Sequence, residues 1–184
     1  ETDPEEDTDV RTAGELLDIY LDAVGANASL LLNIPPDTHG RIAAPDCASL
    51  TELGTKIQQI FASNVTEKAA ITADSAIAQH PITQAVDGMA DTYWQAAYGQ
   101  ESDTITLTFP KPQKVSCVVL GEHLPTGQRI ESGEIWADGS KASEFTVVGH
   151  KRICRFTPVD VQTLTIKITA SRTEPTLRLL EVYQ

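Results

Sequence analysis

Aromatic side chains are scarce in this chain, 5% of its 184 residues. Surfaces that hold sugars by stacking present several aromatic faces, so few residues are available for that use. Basic side chains are scarce too. Fourteen Lys and Arg stand against 26 Asp and Glu, for a net charge of −12. Phosphate backbones are held by clustered Lys and Arg, so this balance argues against nucleic acid. No apolar run approaches the roughly 18 residues of a membrane helix. The three cysteines, Cys47, Cys117 and Cys154, form no CxxC pair and are odd in number. A disulfide framework is therefore not expected. Cys117 and Cys154 sit in apolar strand contexts, where a buried free thiol is the expectation. No basic-then-apolar leader opens the chain. Six of the residues from Glu1 to Asp9 are acidic, which reads as a solvated segment.

What is present begins with 41% hydrophobic residues, enough to fill the core of one domain, or of one domain with part of another. From Thr12 to Val24 the apolar residues Leu17, Tyr20, Leu21 and Val24 recur at helical spacing. Thr12 and Glu15 stand at capping-box spacing, and Gly25 ends the helix. Next comes Asn27-Ala-Ser-Leu-Leu-Leu-Asn-Ile-Pro-Pro-Asp-Thr-His-Gly40. Its consecutive leucines predict a strand over Ser29–Leu32 buried on both faces, as in a parallel sheet, and Pro35-Pro36 end it. A second helix is predicted from a cap at Asp46 to near Asn64, burying Leu50, Leu53, Ile57, Ile60 and Phe61. Helix, strand, loop, helix is the repeating unit of an α/β barrel at its last turn.

After residue 65 the period changes to two. Ile105, Leu107 and Phe109 alternate with threonines, as do Leu164, Ile166 and Ile168. Val115–Leu120, Gly133–Ala137, Phe145–Val148, Arg152–Phe156 and Leu177–Tyr183 are further predicted strands. Turns are expected at Pro110-Lys-Pro112, Pro125-Thr-Gly127, Asp138-Gly139 and Glu174-Pro175. The predicted fold is an α/β remnant, the last helix-strand-helix of a TIM-like barrel, followed by an all-β antiparallel sandwich. The divisions are an acidic tail at 1–9, the barrel end at 10–65 and the sandwich at 66–184.

Residues 15–24 and 27–40 resemble the end of the catalytic barrel of family 29 α-L-fucosidases. The Asn-Ile-Pro-Pro-Asp form is similar to the subgroup acting on α-1,3/1,4-linked fucose. Residues 66–184 resemble the discoidin-type (F5/8C) sandwich that follows the barrel in that subgroup, which implies a sandwich of jelly-roll, galactose-binding-like type. The marks are Ala85-Val-Asp-Gly-Met-Ala-Asp-Thr-Tyr-Trp94, Val148-Gly-His-Lys-Arg-Ile153 and Leu180-Glu-Val-Tyr183. The resemblance implies retaining hydrolysis of a terminal α-L-fucoside by two carboxyl groups roughly 5 Å apart. No segment here matches the family's nucleophile or acid/base motifs, so no catalytic residue is assigned to this chain, and alone it is expected to be inactive.

Barrel sites lie at the C-terminal ends of strands, which puts Asn33, Asp37 and His39 on a substrate rim. The plainer reading is that Asn33 and Asp37 satisfy backbone groups of a Pro-rich turn and that His39 is an exposed loop histidine. In the sandwich, the resemblance implies one structural Ca²⁺. Asp87 and Glu181 would give carboxylates, Thr92 its hydroxyl or carbonyl, and Ala85 and Met89 carbonyls. The metal-free alternative is a turn in which Asp87 caps Gly88 and Met89. Tyr93, Trp94 and Trp136 read as core. Tyr98 and His123, each near a glycine in loop-like sequence, are the candidates for carbohydrate contact.

The function expected is the C-terminal portion of an α-L-fucosidase acting on fucosylated glycans, secreted or periplasmic by resemblance. A companion polypeptide would supply the upstream barrel, with a break near residues 1–9. The alternatives are a carbohydrate-binding module and a discoidin-type adhesion domain. Residues 10–64 speak against both, since a free-standing module would not carry two helices and an orphan barrel strand.

Overall fold

A computed structural model describes residues 10–37 and 39–184, so the acidic segment 1–9 lies outside the described residues. Helix α1 spans Ala13–Val24. The Thr12 hydroxyl accepts the Glu15 backbone N–H at 3.3 Å, and the Glu15 carboxylate accepts the Thr12 N–H at 2.8 Å. The expected capping box thus satisfies donors that a helix start leaves orphaned. The buried stripe differs from the expected one. Ala13 and Leu16 are buried against Leu53 of the next helix, α2 (Ala44–Ile60), while Leu17, Tyr20, Leu21 and Val24 are half-buried. The reason is that α2 is the helix α1 packs on, and only the side turned towards it is covered.

Helix α2 spans Ala44–Ile60, starting before the expected cap at Asp46. Ala43 holds the N-cap position without a side-chain bond, and Pro45 sits in the first turn, where its fixed φ suits a helix start. Asp46 lies in that turn and complements the helix dipole. Between the helices the expected strand at Ser29–Leu32 is not formed. No strand pairs with these residues among those described, and Leu31 is 94% exposed. A strand needs a neighbour for its backbone groups, and none is brought here.

The remainder is antiparallel sheet: β1 Ala70–Ala73, β2 Trp94–Gln95, β3 Asp103–Gly121, β4 Ile130–Ala137, β5 Ser140–Phe145, β6 Arg152–Ser171, β7 Thr176–Leu177 and β8 Leu179–Tyr183. The main sheet runs β1-β3-β6-β4-β5 with β8 on β3, and β2 pairs with β7. Pro110-Lys-Pro112 does not end a strand, contrary to expectation. β3 runs through it, and the register slips between Thr108 and Gln113. Prolines are tolerated where the ladder is interrupted. The two strands expected around Arg152 and Leu164 are likewise one, β6. The stretch expected as a strand from Phe145 to Val148 is instead the end of β5 and a bend.

Ile105, Leu107 and Phe109 from the first half of β3 share one buried core with Val118 and Leu120 from its second half. The long strands β3 and β6 therefore fold over that core, and the one sheet becomes two facing layers. A second irregularity between Val115 and Cys117 resets the alternation. Cys117 and Val119 then face outwards, where Tyr183, Ile60, Phe61 and Ile153 cover them. This layer is buried on both sides, which is why Cys117–Leu120 reads as an unbroken apolar run. Both strand thiols are free as expected, and burial pushes Cys117 to about 11 and Cys154 to about 12.

The helical part is docked on that outer face. Gly25 ends α1 in the right-handed region (φ −74°), so its lack of a side chain serves close approach. A Cβ there would meet the Leu21 carbonyl and Ile153. The left-handed turn falls on Asn27 (φ 71°), a residue that tolerates it. Asn27 Oδ1 accepts the His150 N–H at 2.6 Å, and Phe61 meets the Tyr183 ring edge-on at 5.2 Å. Trp136 departs from its core assignment. Ile135 and Ala137 take the inward positions of β4, so Trp136 lies half-buried on the other face, with Lys167 Nζ 4.2 Å from its ring centre.

Candidate functional site

Asn33, Asp37 and His39 lie on one loop, and the structure shows what Asp37 does there. Its Oδ1 accepts the backbone N–H of His39 at 2.8 Å and of Arg41 at 2.9 Å, and Oδ2 lies 3.3 Å from Arg41 Nη2. The Arg41 N–H above all, then that of His39, holds the carboxyl below its usual range. Asp37 thereby shapes the turn after the two prolines. Asn33 and His39 are exposed beside it.

Ala85, Asp87 and Glu181 line one cavity of about 190 Å³ with Asn64, Thr66 and Gly88. Asp87 Oδ1 accepts the Met89 N–H at 2.9 Å, and the Thr92 hydroxyl donates to Asp87 Oδ2 at 2.8 Å. Met89 and Thr92 thus meet Asp87, while neither lines the cavity. Glu181 faces it from β8 and accepts the Tyr183 hydroxyl at 3.0 Å. Glu67 also lines the cavity, and carboxylates with loop carbonyls suit a hard cation. Among the described residues, no three His, Cys, Asp or Glu side chains converge as a metal group.

At another part of the sandwich, Glu122 is 1% exposed yet carries a carboxylate. Its oxygens accept the N–H groups of Arg129 at 2.7 Å, Ile130 at 2.9 Å and Gly149 at 2.6 Å. A buried acid supplied with backbone donors in this way ties three loops together. The next residue, His123, stacks on Tyr93 at 3.8 Å between ring centres, and His80 stacks on Tyr93 at 3.9 Å. Tyr93 is therefore enclosed between two imidazoles, while Trp94 is wholly buried and donates its Nε1–H to the Ser75 carbonyl at 3.0 Å. Burial, then the charges of His80, Arg129 and Arg178, keep His123 below the ordinary histidine value.

Tyr98 is 76% exposed on a separate loop. The following residue, Gly99, has φ 81° and donates its N–H to Glu174 at 2.8 Å. That bond, with the Thr173 hydroxyl, holds the Glu174 carboxyl down at about 2. Beside this loop, Asp74 and Asp103 line an open cavity of about 510 Å³. Burial raises Asp103, but its oxygens already accept the Ser75 hydroxyl at 2.6 Å and the Asp74 N–H at 3.2 Å. The Asp103 carboxylate thus fixes the loop.

Residues 64–178 match the family model described as a domain of unknown function (DUF7402). The chain belongs to that family. Over nearly its whole length this DUF7402 chain is similar to alpha-L-fucosidase 1 of Arabidopsis thaliana, 30% identical over 185 residues, covering 94% of this chain and 36% of the relative. Among solved structures it is similar to a Bacteroides thetaiotaomicron protein assigned to the α-L-fucosidases (28% identical, TM-score 0.92, 100% of this chain and 42% of that one). It is also similar to a Ruminococcus gnavus GH29 fucosidase in complex with fucose (27% identical, TM-score 0.86, 95% of this chain and 37% of that one). The chain spans about a third of the curated relatives' length and corresponds to their C-terminal part. The likeness covers both the helical remnant and the sandwich.

Sequence reasoning named Tyr93 and His123 separately, in different roles, and missed their stacking with His80. It also missed Glu122, although an acid inside the apolar run Val118-Val-Leu-Gly-Glu122 is a signal of a buried, partnered charge. Asn27 and Glu174 had no signal of this kind, because their partners at 150 and 99 are set by tertiary approach.

Proposed function

We propose that this chain is the C-terminal portion of a retaining α-L-fucosidase that releases terminal α-1,3/1,4-linked fucose from glycans, with the sandwich buttressing the barrel. The observation that carries this reading is the likeness to fucosidases across the helical part as well as the sandwich. The nucleophile and the acid/base group come from an upstream polypeptide that completes the barrel, and the chain alone is inactive. Asn33, Asp37 and His39 face the substrate rim, and Tyr98 is a further sugar contact. The parent acts outside the cytoplasm, in a secreted or periplasmic setting. The test compares hydrolysis of an aryl α-L-fucoside and of α-1,3-, α-1,4- and α-1,2-fucosylated oligosaccharides by this chain alone and by the protein that includes the upstream portion. Activity confined to the longer protein, with the α-1,2 linkage cut slowly, is the expected result. Hydrolysis by the chain alone sinks the division of labour, and equal cutting of all linkages sinks the subgroup assignment. Retention is read from the anomer first released, by NMR.

Calcium at the Ala85–Asp87–Glu181 cavity is part of the proposal, in a structural role joining the loop to β8. The carboxylates of Asp87 and Glu181 and the Ala85 carbonyl would hold it, with Thr92 and Met89 positioned through Asp87. Calcium is expected to raise the melting temperature over a chelator-treated sample, and Asp87→Asn to abolish the difference. An unchanged melting temperature in wild type rejects the site.

A further inference from the structure

His123 carries a buried ring nitrogen with nothing to bond to: its Nδ1 has no hydrogen-bond partner among the described residues. A bare lone pair in that position costs little beside a buried N–H with no acceptor, and an ionised N–H costs more still. The neutral ring therefore keeps its proton on Nε2. His80, on the other side of Tyr93, differs in this respect, because its Nδ1 lies 3.2 Å from Gln84 Oε1. Tyr93 is held between the two imidazoles, which are tilted from its plane by 20° on the His80 side and 9° on the His123 side.

A second proton on His123 meets opposition from several elements. Burial comes first, then the charges of His80, Arg129 and Arg178, whereas the carboxylate of Asp91 favours the proton. Glu174 offsets part of the Arg129 charge, since its carbonyl accepts Arg129 Nη1 at 2.8 Å and its carboxyl is held down in part by that arginine. Glu122 is the nearest acid in sequence, and its oxygens are taken by three backbone N–H groups. An imidazolium on the Tyr93 face gains cation–π attraction, which is smaller than the cost of a charged donor left buried without an acceptor.

The segment that bears His123 is fixed at its base, because Glu122 holds the N–H groups of Arg129 and Ile130. Between these ends Leu124–Thr126 makes one tight turn, which Gly127 closes at φ 92°. Among the described residues the hydrogen bonds there stay inside the turn. Thr126 gives its N–H and its hydroxyl to the His123 carbonyl at 3.2 and 2.9 Å, and Gly127 gives its N–H to the Leu124 carbonyl at 2.8 Å. What joins this turn to the loop of Tyr93 is the stacked His123 ring. We propose that the His80–Tyr93–His123 stack is a pH-operated latch, in which a proton taken from water at His123 Nδ1 unstacks that ring from Tyr93 and releases the turn 123–127. Loss of the proton closes it again. Once released, the ring regains the ordinary value of 6.5, so the closed form holds fully above that pH and gives way as pH falls below it. The latch needs no substrate and no upstream polypeptide, so it stands or falls apart from the fucosidase reading.

The test is an NMR titration of the whole isotope-labelled chain from about pH 8 to about pH 5, the range in which histidine changes charge. The Tyr93 ring signals, shifted by the two imidazoles while the stack is closed, are expected to move towards those of free tyrosine. They follow the same curve as His123 Hε1, together with the amides of Leu124, Thr126 and Gly127. The open population rises roughly tenfold or more over that range. His123→Phe keeps a ring on Tyr93 with no proton to take, and its Tyr93 and turn signals stay constant. His123→Gln, with neither ring nor charge, is likewise constant, with Tyr93 already displaced at about pH 8. A His123 ring that takes up no proton down to about pH 5 overturns the latch. So do Tyr93 and turn signals that ignore the titration of His123, or that still move with pH in the folded Phe or Gln variant.

Discussion

Gly133 has no room for a side chain. A Cβ built there would collide with the Phe145 ring and the Lys167 carbonyl, and both belong to strands that flank β4. Gly133→Ala must push β5 or β6 away, and it is expected to cost about 3 kcal/mol or more in urea unfolding. Glu122→Gln acts without changing size. The amide presents an NH₂ group to backbone donors that now face oxygen, so a loss of about 3 kcal/mol is expected. A near-neutral result would mean that the carboxylate does not hold the three loops. Asn27→Ala loses the bond to His150 and the short polar side chain that eases a left-handed backbone, for about 1–2 kcal/mol. Asn27→Gly keeps the backbone and is expected to cost less, which separates the two causes.

At the scale of loops and strands, the clearest electrostatic device is Glu174, whose carboxylate secures the Tyr98–Gly99 turn. Its folded value of about 2 lies below the ordinary 4.5, so it adds stability above 4.5 and loses it as pH falls towards about 2. Melting curves of wild type and Glu174→Gln should therefore differ near neutrality and converge over that acid window. His123, also depressed, adds stability above 6.5 that fades as pH falls below it, which would appear as an earlier, shallower decline. A wild type as stable at pH 2 as at pH 7 would contradict both. The periodic segments of these elements were legible in the sequence: the capped α1, the threonine-alternating halves of β3 and β6, and the free thiols. What was not legible came from tertiary approach. Pro110-Lys-Pro112 reads locally as a stop, yet the ladder resumes beyond it because both flanking halves pack on one core. The outward Trp136 follows from parity alone, since Ile135 and Ala137 claim the core. Of the candidate sites, the cavity of Ala85, Asp87 and Glu181 could be named by motif, whereas the His80–Tyr93–His123 stack joins three distant segments that no spacing rule connects.

For the whole molecule, the unpaired Ser29–Leu32 segment is the feature that fold and function share. Leu31 is 94% exposed and Ile42 50%, while the sandwich beside them is closed around its own core. In this chain alone, an exposed leucine contributes little, so Leu31→Asp is expected to change stability by less than about 0.5 kcal/mol. On the proposed reading, a longer parent protein places the same position on a barrel strand between two neighbours. A carboxylate buried there without a partner costs several kcal/mol and should abolish fucoside hydrolysis or folding of the barrel. The two measurements make one argument. A substitution silent in the chain and severe in the parent locates the missing strands on this segment. A substitution silent in both says that Leu31 stays exposed and that the barrel closes elsewhere, and one that unfolds the chain by itself says that the segment is already covered.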